Sequence, residues 1–167
     1  MQKTSVAVVG LFVVSGAVVA AQAPADQKPA KAQHVMMTGS DLKWGAGPPA
    51  LPAGVQAAVL DGDPGKAGLF VIRLKMPDGY AVPPHWHPSD EHVTVVSGTL
   101  NVGMGDKLDQ SSMHAMTTGS YVKMPAKSSH FVRAKGTVVI QVMAMGPFEV
   151  TYVNPNDDPR KKSSSGQ

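Results

Sequence analysis

The chain has 167 residues, with 15 Lys and Arg, 12 Asp and Glu and no Cys, so it has room for one domain and forms no disulfide. The 17 Gly and 14 Pro are too many for a helical bundle, and 16% charged residues are too few for a coiled coil or charge-driven disorder. Four basic residues lie near the two ends: Lys3, Arg160, Lys161 and Lys162. Without them the body is about neutral and lacks the basic stripe that nucleic-acid binding requires.

The N-terminal segment has the order of a secretory signal. One Lys precedes the apolar residues 6–21, and small residues dominate the end of that stretch. The stretch is shorter than the ~20 residues needed to cross a bilayer, and no basic flank follows it. We therefore expect residues 1–21 to be a signal peptide, with a retained anchor as the alternative, and cleavage after Ala21 or Ala23. The mature protein is then exported to the periplasm or the extracellular space.

Short apolar runs separated by turn residues fill the middle of the chain. About nine such runs predict an all-β sandwich or barrel over residues 42–155, after an exposed lead-in (22–41) and before a disordered tail (156–167). Residues 69–76 alternate between apolar and other side chains, which predicts one packed and one solvated sheet face. Ser97-Gly98 and Lys135-Gly136 are predicted turns, and the polar residues 106–118 are a predicted loop.

Three histidines and one glutamate have the spacing of a metal site. His85 and His87 are two residues apart on a predicted strand, so both imidazoles project from the same face. Glu91 follows a turn and can point back toward them, and His130 begins another run. This ligand set suits a divalent transition metal and leaves positions open for water or substrate, unlike a closed structural zinc site.

The same segment resembles the cupin superfamily. Residues 79–98 match the first cupin motif at every defined position. The second motif is looser, because Lys127 stands at the usual glycine and Ala134 at the usual asparagine. Its matching positions are Gly119, Pro125 and His130. The resemblance implies a small antiparallel jelly-roll β-barrel with a metal held in its mouth by His85, His87, Glu91 and His130.

The resemblance also narrows the range of functions that we expect. Members with this ligand set include dioxygenases, oxalate-degrading enzymes, lyases and isomerases, and we favour a dioxygenase-like enzyme that acts on a small oxygen-rich organic substrate. The expected cofactor is one Fe or Mn ion, with Zn, Ni or Cu as alternatives, and Glu91 is the candidate catalytic base. The main alternative is a non-catalytic protein that binds a metal or a small ligand, and a metal-free structural jelly roll is a third. We expect a homodimer, with no nucleic-acid partner and no retained membrane anchor.

Several other residues have two interpretations. Gln141 is the polar residue of the apolar run 138–145, and it either faces a substrate pocket or lies on the solvated outer face. His92 alternates away from Glu91, and His34 and His114 are expected to be solvated. Four methionines are predicted to fill the core: Met104, Met124, Met143 and Met145.

Overall fold

The computed structural model describes residues 34–162. The predicted signal peptide, most of the lead-in and the last five residues of the predicted tail lie outside this range. The strands are β1 (Gly45–Ala46), β2 (Gln56–Asp61), β3 (Gly68–Met76), β4 (Ala81–Trp86), β5 (Glu91–Met104), β6 (His114–Thr117), β7 (Tyr121–Met124), β8 (His130–Gly146) and β9 (Thr151–Tyr152). In the described part of the chain, the helical segments are three 3-10 turns, Gly39–Asp41, Gln110–Ser112 and Pro155–Asp157, and one short helix, α1 (Pro159–Lys162). Within residues 34–162, no helix has the length and apolar character to span a bilayer.

Every strand pairs antiparallel with its neighbours, and β8 is the centre of the sheet. The order is β1-β2-β3-β8-β4-β9, while β5 pairs with β8, β6 and β7. The early part of β8 pairs with β4, and its later part pairs with β3. Because β5 follows β8 along most of its length, these two long strands connect both halves of the barrel. The predicted all-β antiparallel jelly roll is confirmed.

The predictions of turns at Gly98 and Gly136 are wrong, because these glycines lie at irregularities inside β5 and β8. The register between these strands shifts between Val95 and Thr99, where Ser97 pairs with Val139. Gly98 has φ +83°, and a Cβ atom there would lie 2.5 Å from the carbonyl oxygen of Thr137. Residues that favour turns also favour β-bulges, so the local sequence did not distinguish the two.

The predicted loop 106–118 is also only partly a loop. Its second half forms β6, which pairs antiparallel with β5 between Thr99 and Val102. None of the residues of β6 is buried, so the strand lacks the apolar alternation that would reveal it. Its backbone hydrogen bonds with β5 define it instead.

The core lies inside the barrel, against the inner face of the folded sheet. Residues 69–76 alternate as predicted, with Phe70, Ile72, Leu74 and Met76 all buried. The prediction for the methionines holds for Met124, which is buried, and is wrong for three that are exposed. These three are Met104, Met143 and Met145. Met143 and Met145 alternate with buried residues of β8, so strand geometry places them on the outer face.

Two buried tyrosines attach the segment 47–55 to the barrel. The Tyr80 hydroxyl donates to the carbonyl oxygen of Pro52 at 2.7 Å, and the Tyr152 hydroxyl donates to that of Ala50 at 2.8 Å. Burial raises the pKa of Tyr152 to about 12, so the hydroxyl stays protonated as a donor. At the other end, Arg160 of α1 donates to the carbonyl oxygen of Val150 at 2.9 Å. The domain boundaries given from the sequence stay predictions.

Candidate metal centre

Strand pairing brings the four predicted ligands together. His85 of β4 and His130 at the start of β8 are register partners. His87 follows the end of β4, and Glu91 is the first residue of β5. All four are buried, with exposed fractions of 2% to 7%. The polar residues at one end of the barrel are thus removed from water and face one another.

Each histidine is held by a main-chain acceptor. Nδ1 of His85 donates to the carbonyl oxygen of Pro83 at 2.7 Å, and Nδ1 of His87 donates to that of Glu149 at 2.7 Å. Nδ1 of His130 donates to the carbonyl oxygen of Ser128 at 3.1 Å. A carbonyl can only accept, so Nδ1 carries the proton and the Nε2 of a neutral ring keeps its lone pair. Metal-bound histidines are usually oriented by this kind of hydrogen bond.

The buried groups of the cluster change one another's pKa values. Burial, together with the neighbouring His130 and His87, lowers the pKa of His85 to about 3, so this ring is neutral at physiological pH. Burial alone raises the pKa of Glu91, but the nearby His130 and His87 rings outweigh burial and hold the pKa below its ordinary value. The centre therefore combines a neutral imidazole with an ionised carboxylate.

The donor set fits a metal ion. One ring nitrogen from each of His85, His87 and His130 lies within 4.8 Å of the others. Oε2 of Glu91 is 3.5 Å from Nε2 of His87 and 3.3 Å from Nε2 of His130. Both His87 Nε2 and Glu91 Oε2 are buried without a hydrogen-bond partner. A cation bound by these atoms would satisfy them, and imidazole with carboxylate is a donor set for transition metals. The buried histidines can hold a metal ion.

An apolar cavity of about 170 Å³ opens beside the four ligands. Its strand walls are formed mainly by aliphatic side chains: Ile72, Leu74, Met76, Val93, Leu100, Val132, Ile140 and Val142. Residues outside the strands also line it: Pro48, Ala50, Leu51, Pro64, Gly65, Phe148 and Val150. Among the described residues, the four ligand candidates are its only polar side chains.

Sequence reasoning missed the role of Phe148. Its ring stacks on His87, with centroids 4.2 Å apart and an angle of 19°, and meets Phe70 edge-on at 5.2 Å. The neighbouring Glu149 carbonyl accepts from the same His87. This segment therefore orients the ring from two directions. The apolar run 148–153 was visible in the sequence, but its contact with His87, 61 positions earlier, was not.

The structure corrects the expectation for a polar residue in the pocket. Gln141 lies on the outer face of β8 between the cavity-lining Ile140 and Val142, and its Oε1 accepts from Nε of Arg73 at 3.2 Å. Strand alternation therefore points Gln141 away from the cavity, and the prediction of a substrate contact is wrong. His92 also lies outside, where Nδ1 is 2.6 Å from the Tyr121 hydroxyl.

Comparison with solved structures shows the same fold in proteins of low sequence identity. A protein proposed to be an acetylacetone dioxygenase from Methylibium petroleiphilum PM1 has a TM-score of 0.60 at 16% identity, over 83% of this chain and 98% of that one. The polyketide cyclase RemF from Streptomyces resistomycificus has a TM-score of 0.57 at 19% identity, over 81% and 93%. An RmlC-like cupin from Shewanella frigidimarina NCIMB 400 has a TM-score of 0.53 at 14% identity, over 69% and 94%.

The sequence comparisons identify one family. No curated protein matches the chain. One family model, described as a domain of unknown function (DUF4437), matches residues 14–151 and so covers most of the chain. The predicted resemblance to cupins is confirmed by the structural neighbours. The chain belongs to the DUF4437 family, and its fold is the one found in cupin structures.

Proposed function

We propose that the protein is a mononuclear metal-dependent enzyme of dioxygenase type that acts on a small organic substrate carrying oxygen atoms. The observation that carries the proposal is the convergence of three imidazoles and the Glu91 carboxylate at an apolar cavity. A bound Fe or Mn ion would supply Lewis acidity and bring substrate and O2 together. One neighbour of the same fold is itself proposed to be a dioxygenase, which fits this class.

The residues of the chain have separate roles in this proposal. His85, His87 and His130 would hold the metal through Nε2, in orientations fixed by their Nδ1 hydrogen bonds. Glu91 is the fourth ligand and supplies negative charge. Its low pKa means that it is ionised at neutral pH, and among the described residues it is the only carboxylate that lines the cavity, so it is the candidate base for an enol or phenol proton. The aliphatic walls exclude water from the reacting groups.

The proposed net reaction needs no external reductant. One O2 is added across the carbon–carbon double bond of an enol, that bond is cleaved, and both oxygen atoms remain in the two carbonyl products. Oxygen consumption should therefore equal substrate consumption.

An oxygen electrode tests this reaction with full-length protein loaded with Fe²⁺. We expect O2 uptake with a set of small enols and phenols, and loss of that uptake in His87→Ala. The control is His114→Ala, which changes an exposed histidine. Equal uptake by the two variants would contradict the assignment of the centre.

A non-catalytic metal- or ligand-binding protein is the second candidate. The specific observation in its favour is that the described cavity lining contains no acid or base beyond the four ligand candidates. This function requires tight metal or ligand binding without substrate depletion. The same oxygen and substrate measurements therefore separate the two candidates.

We also propose that the protein is exported, on the basis of the leader sequence of residues 1–21. Cell fractionation and N-terminal sequencing test this directly. We expect the mature chain outside the cytoplasm, beginning after Ala21 or Ala23. An uncleaved chain in the cytoplasm would refute export.

A further inference from the structure

The polar groups of the cavity are confined to one end. Beyond His130, its lining continues along β8 to Val132 and across to Leu100, which pairs with Ala134. Ala134 lies four residues beyond His130 on β8, which corresponds to roughly 13 Å along the strand. Among the described residues, no polar side chain lines this deeper part. A ligand that fills the cavity must therefore meet polar groups at one side and aliphatic carbon elsewhere.

This arrangement discriminates between ligands by simple desolvation. A hydroxyl or carboxylate placed against Met76 or Leu100 would lose its water without gaining a side-chain partner. An unsatisfied neutral polar group lowers affinity about 5- to 150-fold, and a charged one lowers it further. A methylene in the same place raises affinity about fourfold. The deeper cavity therefore favours hydrocarbon and disfavours sugars and dicarboxylates.

The volume limits the size of the hydrocarbon. An apolar protein cavity of about 150 Å³ accommodates benzene. The cavity here, at about 170 Å³, is close to that size. It therefore suits an apolar body of about six non-hydrogen atoms.

We propose that the cavity binds a small amphiphilic ligand. Its oxygen atoms lie on one side, toward His85, His87 and His130, and a short alkyl or single-ring aryl body lies toward Met76 and Leu100. The part of this inference that concerns the oxygen atoms rests on the proposed metal function. The inference narrows the class of substrate from any oxygen-rich molecule to one whose oxygen atoms all lie on one side of the molecule.

A matched pair of ligands tests the inference by binding rather than by activity. Malonate and 2,4-pentanedione have the same number of non-hydrogen atoms and the same relation between chelating oxygens, but methyl groups replace the outer oxygens in the dione. Full-length protein is loaded with Zn²⁺, which has no redox chemistry, and Kd is measured by calorimetry. We expect the protein to favour the dione at least tenfold more than free Zn²⁺ does in the same buffer. The longer 3,5-heptanedione has two more methylenes and should bind about 15-fold more tightly than 2,4-pentanedione.

Toluene separates the cavity from the metal. It should raise the Tm of both metal-free and metal-loaded full-length protein in a concentration-dependent way. Val132→Thr puts a hydroxyl into the cavity wall and should weaken toluene and dione binding at least fivefold. Val139→Thr makes the same change on the opposite face of β8 and should leave both unchanged.

The outcomes distinguish this inference from the proposed function. Toluene binding that Val132→Thr weakens, in a protein that binds no metal, would refute the metal function and support the apolar cavity. Metal binding with no preference for the dione, or equal effects of Val132→Thr and Val139→Thr, would overturn the inference and leave the metal function standing.

Discussion

Replacing Glu91 by Gln should move stability and metal affinity in opposite directions. Oε2 of Glu91 is a buried acceptor that faces Nε2 of His87 and His130 at 3.5 and 3.3 Å. When both rings are neutral, with the proton on the Nδ1 that donates to a carbonyl, these atoms are all acceptors. A glutamine amide can donate to one of them. An unsatisfied buried group costs about 1–3 kcal/mol, so the metal-free variant should be more stable by about that amount.

The same substitution removes the negative charge that would bind the metal. Loss of an outer partner of a metal ligand already costs 10–100-fold in affinity, so loss of Glu91 as a direct ligand should cost at least about 100-fold. The assays are thermal unfolding at pH 8.5 with chelator, in which each kcal/mol corresponds to about 4 °C, and metal titration by calorimetry. Glu149→Gln is the matched control, because that side chain is exposed. A metal-free Glu91→Gln protein that is less stable than wild type, yet binds metal equally well, would refute this explanation of the site.

Three further predictions concern stability. Lys127 has φ +62°, a left-handed conformation that costs residues other than glycine about 1–2 kcal/mol. Lys127→Gly should therefore stabilise the protein by about 0.5–1 kcal/mol, after the greater freedom of glycine in the unfolded chain is subtracted. The matched change Lys135→Gly, within β8, should destabilise it by a similar amount, and the same sign for both would refute the argument. Tyr152→Phe should cost about 1 kcal/mol in denaturant unfolding through the lost hydrogen bond to Ala50, and an unchanged midpoint would contradict this contribution. His85 has its folded pKa lowered from 6.5 to about 3, so the unfolded chain binds more protons between these values. The part of the free energy of unfolding that depends on His85 is therefore fully present above pH 6.5 and falls by up to about 1.4 kcal/mol per pH unit toward pH 3. The metal-free His85→Gln protein should show a shallower pH dependence of unfolding.

Local spacing was sufficient to predict much of the site. The two-residue spacing of His85 and His87 on a strand dictates a shared face, and the structure places both in one buried cluster. The alternation in β3 likewise predicted which of its side chains are buried. In the second motif, Lys127 adopts the positive φ expected of the usual glycine, and its N–H donates to the carbonyl oxygen of His87 at 2.8 Å. The turn is thus preserved without the glycine.

The remaining features depend on contacts between distant residues. The choice between turn and bulge at Gly98 depends on how closely β8 approaches, and the local sequence does not specify that distance. Phe148 and the tyrosine-bound segment around Ala50 reach the cavity through contacts across 61 and 102 positions. Gln141 had two faces available, and only the register of β8 with its neighbours decides between them.

The most direct test of the central claim is the metal content of the protein purified from its own cells, measured by elemental analysis beside His130→Ala and His114→Ala. We expect about one equivalent of iron or manganese in wild type and in His114→Ala, and none in His130→Ala. Unfolding of all three proteins is measured in parallel to confirm that each is folded. Wild-type protein without metal, which also fails to take up added Fe²⁺ or Mn²⁺, would contradict the assignment of the buried histidines as a metal centre.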